Sequence, residues 1–251
     1  MGSRRSAPHT CLVVPRGVAG SVPLALTRRR VTVLLILMAV LTASFFYAAH
    51  ALGAGKTQCE RFAAASGQRA EQVTGSGERV VVIGDSWSAG LGLDRPVQSW
   101  PSRLEGRIHV AGFSGSGFSA HASRCGRVSF ADRAPRSLVG GADLVVVEGG
   151  LNDFDRSRAE IRAGFARLVR TASAYPVVVV GPATAPSRAS AVPRVDRLLR
   201  HLSEKYDVAY LSTADLDLPS LPDGLHPTST GHRLFGDAVA SRIAALDRTL
   251  G

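Results

Sequence analysis

Three short stretches of this sequence hold side chains that together can carry out acyl transfer. Gly84-Asp85-Ser86 ends an apolar run and leaves one hydroxyl at its tip. Gly150-Leu151-Asn152-Asp153 supplies a side-chain amide, and Asp223-Gly224-Leu225-His226 sets a carboxylate three residues before an imidazole. A serine hydroxyl is a weak nucleophile until a neighbouring base takes its proton. Histidine can do so near neutral pH, and a carboxylate on its other ring nitrogen fixes the tautomer. Glycine N–H groups and an asparagine amide can receive the charge that builds on the carbonyl oxygen. Any one of these stretches alone is ordinary turn chemistry; their combination points to an ester or related acyl bond as the target.

Such groups must be held by a framework, and the rhythm of the chain describes one. Short runs rich in Val and Ile occur at Val80–Ile83, Ile108–Ala111, Leu144–Val147, Val177–Val180 and Val208–Leu211. Each has strand length, and most are apolar on both faces, as in a parallel sheet covered by helices. Between them lie segments with helical spacing. Ile161, Phe165, Leu168 and Val169 form one stripe, Val195, Leu198, Leu199 and Leu202 a second, and Phe235, Val239, Ile243, Leu246 and Leu250 a third. Alternating strands and helices predict a three-layer α/β/α sandwich with a five-stranded parallel sheet. Sites in such folds lie outside the carboxyl ends of the strands. The segments after the five runs are Gly84-Asp85-Ser86, "GFSGSGF" (112–118), "EGGLNDF" (148–154), "GPATAP" (181–186) and, past a short loop, "LPDGLHPTSTGH" (221–232).

In order and content these strand ends resemble the blocks of the SGNH hydrolases, also called GDSL esterases and lipases. Gly84-Asp85-Ser86 matches the first block, Gly150-Leu151-Asn152-Asp153 the third, and Asp223-Gly224-Leu225-His226 followed by Pro227 the last, over roughly Val80 to Leu246. The resemblance implies the flavodoxin-like SGNH fold and a catalytic set of Ser86 as nucleophile, His226 as base and Asp223 as its orienting acid. It also implies an oxyanion hole built from Ser86, a glycine of the second block and Asn152. Ser114-Gly115 is the best match for that glycine, so Gly115 is the candidate, with Gly112 and Gly117 competing. The asparagine that some members carry upstream is missing here. The activity implied is hydrolysis of carboxylic, short-acyl esters. The same residues also permit acyl transfer between cell-envelope glycans, and a non-catalytic glycan-binding domain is a further alternative. No cofactor or metal is implied.

The remaining residues have plainer expected fates. Asp85 shapes the elbow at Ser86, and Asp153 serves as a turn and helix cap. His232 is the weaker base candidate, in the first turn of the last helix; His109 and His201 carry no partner signal. Trp87 and Trp100 belong to the core or to a substrate pocket.

The front of the chain speaks to compartment. The formal net charge is +10, but residues 1–30 hold six arginines and no acid, so six of those charges lie there. No basic stripe with interleaved aromatics suggests nucleic acid. Arg28, Arg29 and Arg30 precede an uncharged stretch close to the ~20 residues that cross a bilayer as a helix. The expectation is a basic cytoplasmic tail (1–30), a membrane anchor or signal segment (31–51) and a linker (52–78). The esterase domain (79–251) then lies outside the cytoplasm, with "AHA" at 49–51 as a cleavage motif if the segment is removed. Of the three cysteines, Cys11 lies in the tail, whereas Cys59 and Cys125 would lie where disulfides persist. They are expected to pair, which stabilises by on the order of 3–4 kcal/mol. Their spacing does not suit zinc.

Overall fold

A computed structural model describes residues 28–250, except for the side chains of residues 29, 47–56 and 247–250. The tail with Cys11, the side chains of the 49–51 motif and that of Leu250 therefore lie outside the described residues. The described residues divide into two units, one up to Leu52 and one from Gly53 onward.

In the larger unit five strands, β1 (Arg79–Gly84), β2 (Arg107–Gly112), β3 (Leu144–Glu148), β4 (Val177–Val180) and β5 (Ala209–Leu211), form one sheet. All pairings are parallel and the order is β2-β1-β3-β4-β5, the doubly wound flavodoxin-like order. Alternate residues of a strand face opposite ways, and here both ways are covered. Val81, Ile83, Val145, Val147 and Val179 pack with Phe118, Phe165, Leu168 and Leu199. Val80, Val82, Val146, Val178 and Val180 pack with Trp87, Trp100, Phe235 and Val239. The helices follow from this division. Residues of α3 (Phe130–Ser137), α4 (Arg158–Thr171) and α5 (Val192–Lys205) join the first set, and those of α2 (Ser86–Ala89) and α6 (Ser229–Leu250) the second. Trp87 and Trp100 are thus core residues.

The first helix, α1, spans Arg28–Glu71. Its described side chains from Val31 to Phe46 include a run of exposed apolar groups, yet among the described residues no helix is long and apolar enough to cross a membrane. The anchor expected over 31–51 finds no support there.

The linker expected over 52–78 is corrected. Within the larger unit the chain is helical up to Glu71 and packed on the sheet. Phe62 meets Phe113 edge-on with centroids 6.4 Å apart, and Arg69 is fully buried. Cys59 and Cys125 are joined by a disulfide. A Gly-, Ala- and Ser-rich composition reads as a linker, but here Phe62, Arg69 and the disulfide hold these residues as a helix on the domain. Burial lowers the Arg69 pKa to about 10; its Nε donates to Ser99 Oγ at 3.2 Å and its Nη1 to Gln72 O at 2.7 Å.

Candidate active site

β1 ends at Gly84, and the chain turns at once into α2, so Ser86 stands at the carboxyl edge of the sheet. Asp85 makes this turn possible: its Oδ1 caps α2 by accepting the Trp87 N–H at 2.9 Å. The second strand comes close beneath. A Cβ on Gly112 would lie 2.5 Å from Ala89 N and 2.7 Å from its Cα, so glycine there lets α2 seat on β2.

The last loop reaches this point from the far side of the sheet. Asp223 Oδ1 accepts the N–H groups of Leu225 (2.9 Å) and His226 (3.0 Å), folding the loop around the carboxylate. Trp87 Nε1 donates to Leu225 O at 3.1 Å and ties the loop to the elbow. In this setting His226 Nδ1 lies 2.6 Å from Asp223 Oδ2, and His226 Nε2 lies 3.0 Å from Ser86 Oγ. Burial works to raise the Asp223 pKa, but hydrogen bonds from the His226 ring and the two N–H groups outweigh it and bring the value to about 2.

The three donors expected to form an oxyanion hole stand in different settings. The N–H groups of Ser86 and Gly115 find no acceptor among the described residues. Gly115 occupies the third position of a turn closed by Ser116 N–H on Phe113 O (3.1 Å), with φ +79°, a position that favours glycine. Of its competitors, Gly112 serves packing as above, and a Cβ on Gly117 would meet Asp153 Oδ2 at 2.5 Å. Asn152, in a 3-10 turn after β3, sends its Nδ2 to Asp85 Oδ2 (3.1 Å) and Ser116 O (2.9 Å). Asp153 accepts from the N–H groups of Phe118 (2.9 Å) and Ser119 (2.8 Å), a clamp on the second loop. Burial raises its pKa to about 6.

Beside Asp85 the structure places two charged groups beneath the elbow that the sequence did not single out, Glu148 and Arg133. Glu148, at the end of β3, is buried and accepts Ser88 Oγ–H at 2.6 Å. Burial pushes its pKa up to about 7, against hydrogen bonds from Ser88, Trp100 and the Asp85 backbone. Asp85 is fully buried too, and desolvation together with the nearby Glu148 charge raises it well above the usual range. Arg133 of α3 donates to the carbonyls of Gly84 (2.8 Å) and Ala111, joining the ends of β1 and β2, and burial lowers its pKa to about 9. A charge at the end of an apolar run was the one signal for Glu148.

His232 stands apart from the Ser86–His226–Asp223 chain. It is buried against Trp87, neither ring nitrogen has a partner among the described residues, and burial lowers its pKa to about 4. His109 Nε2 lies 2.9 Å from Arg79 Nη1 at the sheet edge, and His201 is exposed on α5. Among the described residues no group of three His, Cys, Asp or Glu could hold a metal ion.

A parallel α/β sandwich with a serine, a histidine and an aspartate meeting at its carboxyl edge defines a class of acyl-bond hydrolases. The chain belongs to the GDSL-like lipase/acylhydrolase family, whose model matches residues 82–234, and it is an ester-hydrolysing enzyme of that family. No curated protein matches the sequence significantly. Among solved structures, the fold is similar to that of Est24, a carbohydrate acetylesterase from Sinorhizobium meliloti (TM-score 0.58, 22% identity, covering 68% of this chain and 100% of that one). It is also similar to an aryl esterase of M. smegmatis (TM-score 0.58, 21% identity, 68% and 100%). A third is the psychrotrophic esterase EstA from Pseudoalteromonas sp. (TM-score 0.57, 17% identity, 68% and 100%).

Proposed function

We propose that the chain is an extracytoplasmic serine esterase that removes short acyl groups from esters, acylated carbohydrates among them. The observation that carries this reading is the relay from Ser86 Oγ through His226 (3.0 Å) to Asp223 (2.6 Å). In it Ser86 Oγ attacks the ester carbonyl while His226 Nε2 takes the hydroxyl proton. Asp223 keeps the other ring proton on Nδ1 and stabilises the imidazolium. Charge on the carbonyl oxygen is met by the Ser86 and Gly115 N–H groups and the Asn152 amide. His226 returns its proton to the departing alcohol, and water, activated the same way, releases the acid and restores Ser86. That Est24, of similar fold, is a carbohydrate acetylesterase agrees with a small acyl group.

The location outside the cytoplasm is supported by the Arg28–Arg30 run before an apolar stretch and by the Cys59–Cys125 disulfide, a bond that persists in oxidising compartments. On this reading residues 31–51 are a signal or anchor. The test is hydrolysis of a short-chain chromogenic ester by the full chain and by Ser86→Ala. We expect the variant to fold with an unchanged melting temperature and to lose about 10⁴-fold or more in kcat. A folded variant with the parent's rate overturns the assignment.

A further inference from the structure

One arginine, in a turn that packs against the loop carrying Asp223 and His226, holds donors that the fold does not use. Arg188 lies in the short 3-10 turn after β4, with its guanidinium carbon 3.8 Å from the centroid of the Phe154 ring. The guanidinium's one hydrogen bond among the described residues is from Nη1 to the carbonyl of the adjacent Ser187, at 3.2 Å, while Nε is buried without a partner. Among the described residues no carboxylate lies within ion-pair distance of it, although Asp155 feels its charge. Its neighbours differ. Arg194 spreads over the carbonyls of Asp153, Phe154 and Arg156, and Arg156 is paired with Asp155. Two guanidiniums, those of Arg156 and Arg188, therefore act on the carboxylate of Asp155.

The position matters as much as the charge. Phe154 follows Asn152 by two residues, so the ring belongs to the arm that carries an oxyanion donor. The Ser187 N–H donates at 2.9 Å to the carbonyl of Gly224, which lies between Asp223 and His226. Arg188 thus bridges the oxyanion arm and the base arm. His226 delivers its proton to the leaving oxygen, so the alcohol portion of an ester departs on the side of the loop that carries it. With Nε buried, the end of the guanidinium that can meet a ligand is the Nη1–Nη2 pair, of which Nη2 has no partner among the described residues, and that end can meet two oxygens of a carboxylate or phosphate.

We propose that Arg188, stacked on Phe154, determines specificity by receiving a carboxylate or phosphate carried by the alcohol portion of the substrate ester. The inference rests on the esterase reading above, and its test separates the two. The full chain bearing Ser86→Ala, which cannot turn over, is titrated by calorimetry with an O-acetylated glucuronic acid and with the methyl ester of that acid. A second pair is an O-acetylated sugar phosphate and the same sugar without phosphate. At least one anionic compound binds ten-fold or more tightly than its neutral counterpart, and the pair that shows the preference identifies the anion. Adding Arg188→Ala abolishes the preference, and Arg188→Lys, which keeps charge without the planar fork, restores part of it. Equal affinity within both pairs, no binding of any compound, or a preference that survives Arg188→Ala in a protein with unchanged melting temperature overturns the inference. Hydrolysis of a neutral ester by the parent remains a separate reading of the esterase assignment.

Discussion

Asn152 uses both of its amide hydrogens inside the protein, one on Asp85 Oδ2 and one on Ser116 O. On the proposed mechanism an oxyanion beside Ser86 would share the hydrogen that Asp85 now holds, which makes Asp85 the positioning residue for this donor. Asp85→Asn keeps an oxygen to cap α2 but opposes an amide N–H₂ to that of Asn152. We expect it to lower kcat by about 10²–10³ with KM little changed, as loss of one oxyanion donor does. Asn152→Ala should lower it similarly, and the double variant should be no worse than either single one, measured by steady-state kinetics. Additive losses would show that Asp85 acts elsewhere. Glu148 gives a second prediction at this scale. Its pKa is raised from 4.5 to about 7 by burial, so the folded state holds this proton more tightly than the unfolded chain. The stability this contributes is present below about pH 4.5 and is lost as pH rises through about 7. Glu148→Gln keeps an acceptor for Ser88 and has no proton to lose. Relative to the parent it should gain stability between pH 5 and 8, by at most about 3 kcal/mol. Chemical denaturation across that range checks it, and a difference flat in pH contradicts it.

Among the elements, the β1–α2 elbow is set by what lies beneath it. A Cβ at Gly112 would press on the backbone of Ala89, which cannot move without tilting the four-residue helix that begins with Ser86. Gly112→Ala should cost about 1–3 kcal/mol and reduce kcat by displacing the hydroxyl. Gly115→Ala meets only Ser123 Oγ at 3.9 Å, so its cost is the strain of φ +79°, about 1–2 kcal/mol. Thermal melts and kinetics on both separate packing from backbone strain. In the sequence these glycines are alike, which is why three candidates stood for one role: φ and neighbours are properties of the folded chain. The strands were legible because burial on both faces leaves nearly unbroken apolar runs, and the observed ends depart from Val80–Ile83 and its counterparts by at most one residue, with Val177–Val180 matched at both ends. The last strand begins at Ala209, not Val208. Helix α3 was not legible by periodicity. It has eight residues with Pro135 inside, although its Ser129–Asp132 capping box was a usable signal.

For the whole molecule, the strand ends could be read as a site because a parallel sheet gathers all its carboxyl ends on one edge, whatever the separation along the chain. Ser86 and His226 are 140 residues apart and meet at 3.0 Å. The part before β1 was harder to read, since its helix gains meaning only from partners far along the chain: Phe113 for Phe62, Ser99 for Arg69, Cys125 for Cys59. That last pair also carries the question of compartment. Closing 66 residues of chain constrains the unfolded state by about 4 kcal/mol in the chain-entropy model. Cys59→Ser with Cys125→Ser should then melt roughly 8–16 °C below the parent. A cytoplasmic enzyme would be kept reduced and would gain none of this. In protein recovered from cells without reductant, we expect both thiols to resist alkylation until reduced, and the chain to fractionate with membranes or outside the cell. Soluble cytosolic protein with both thiols open to alkylation would overturn the extracytoplasmic assignment and leave the ester chemistry at Ser86 untouched.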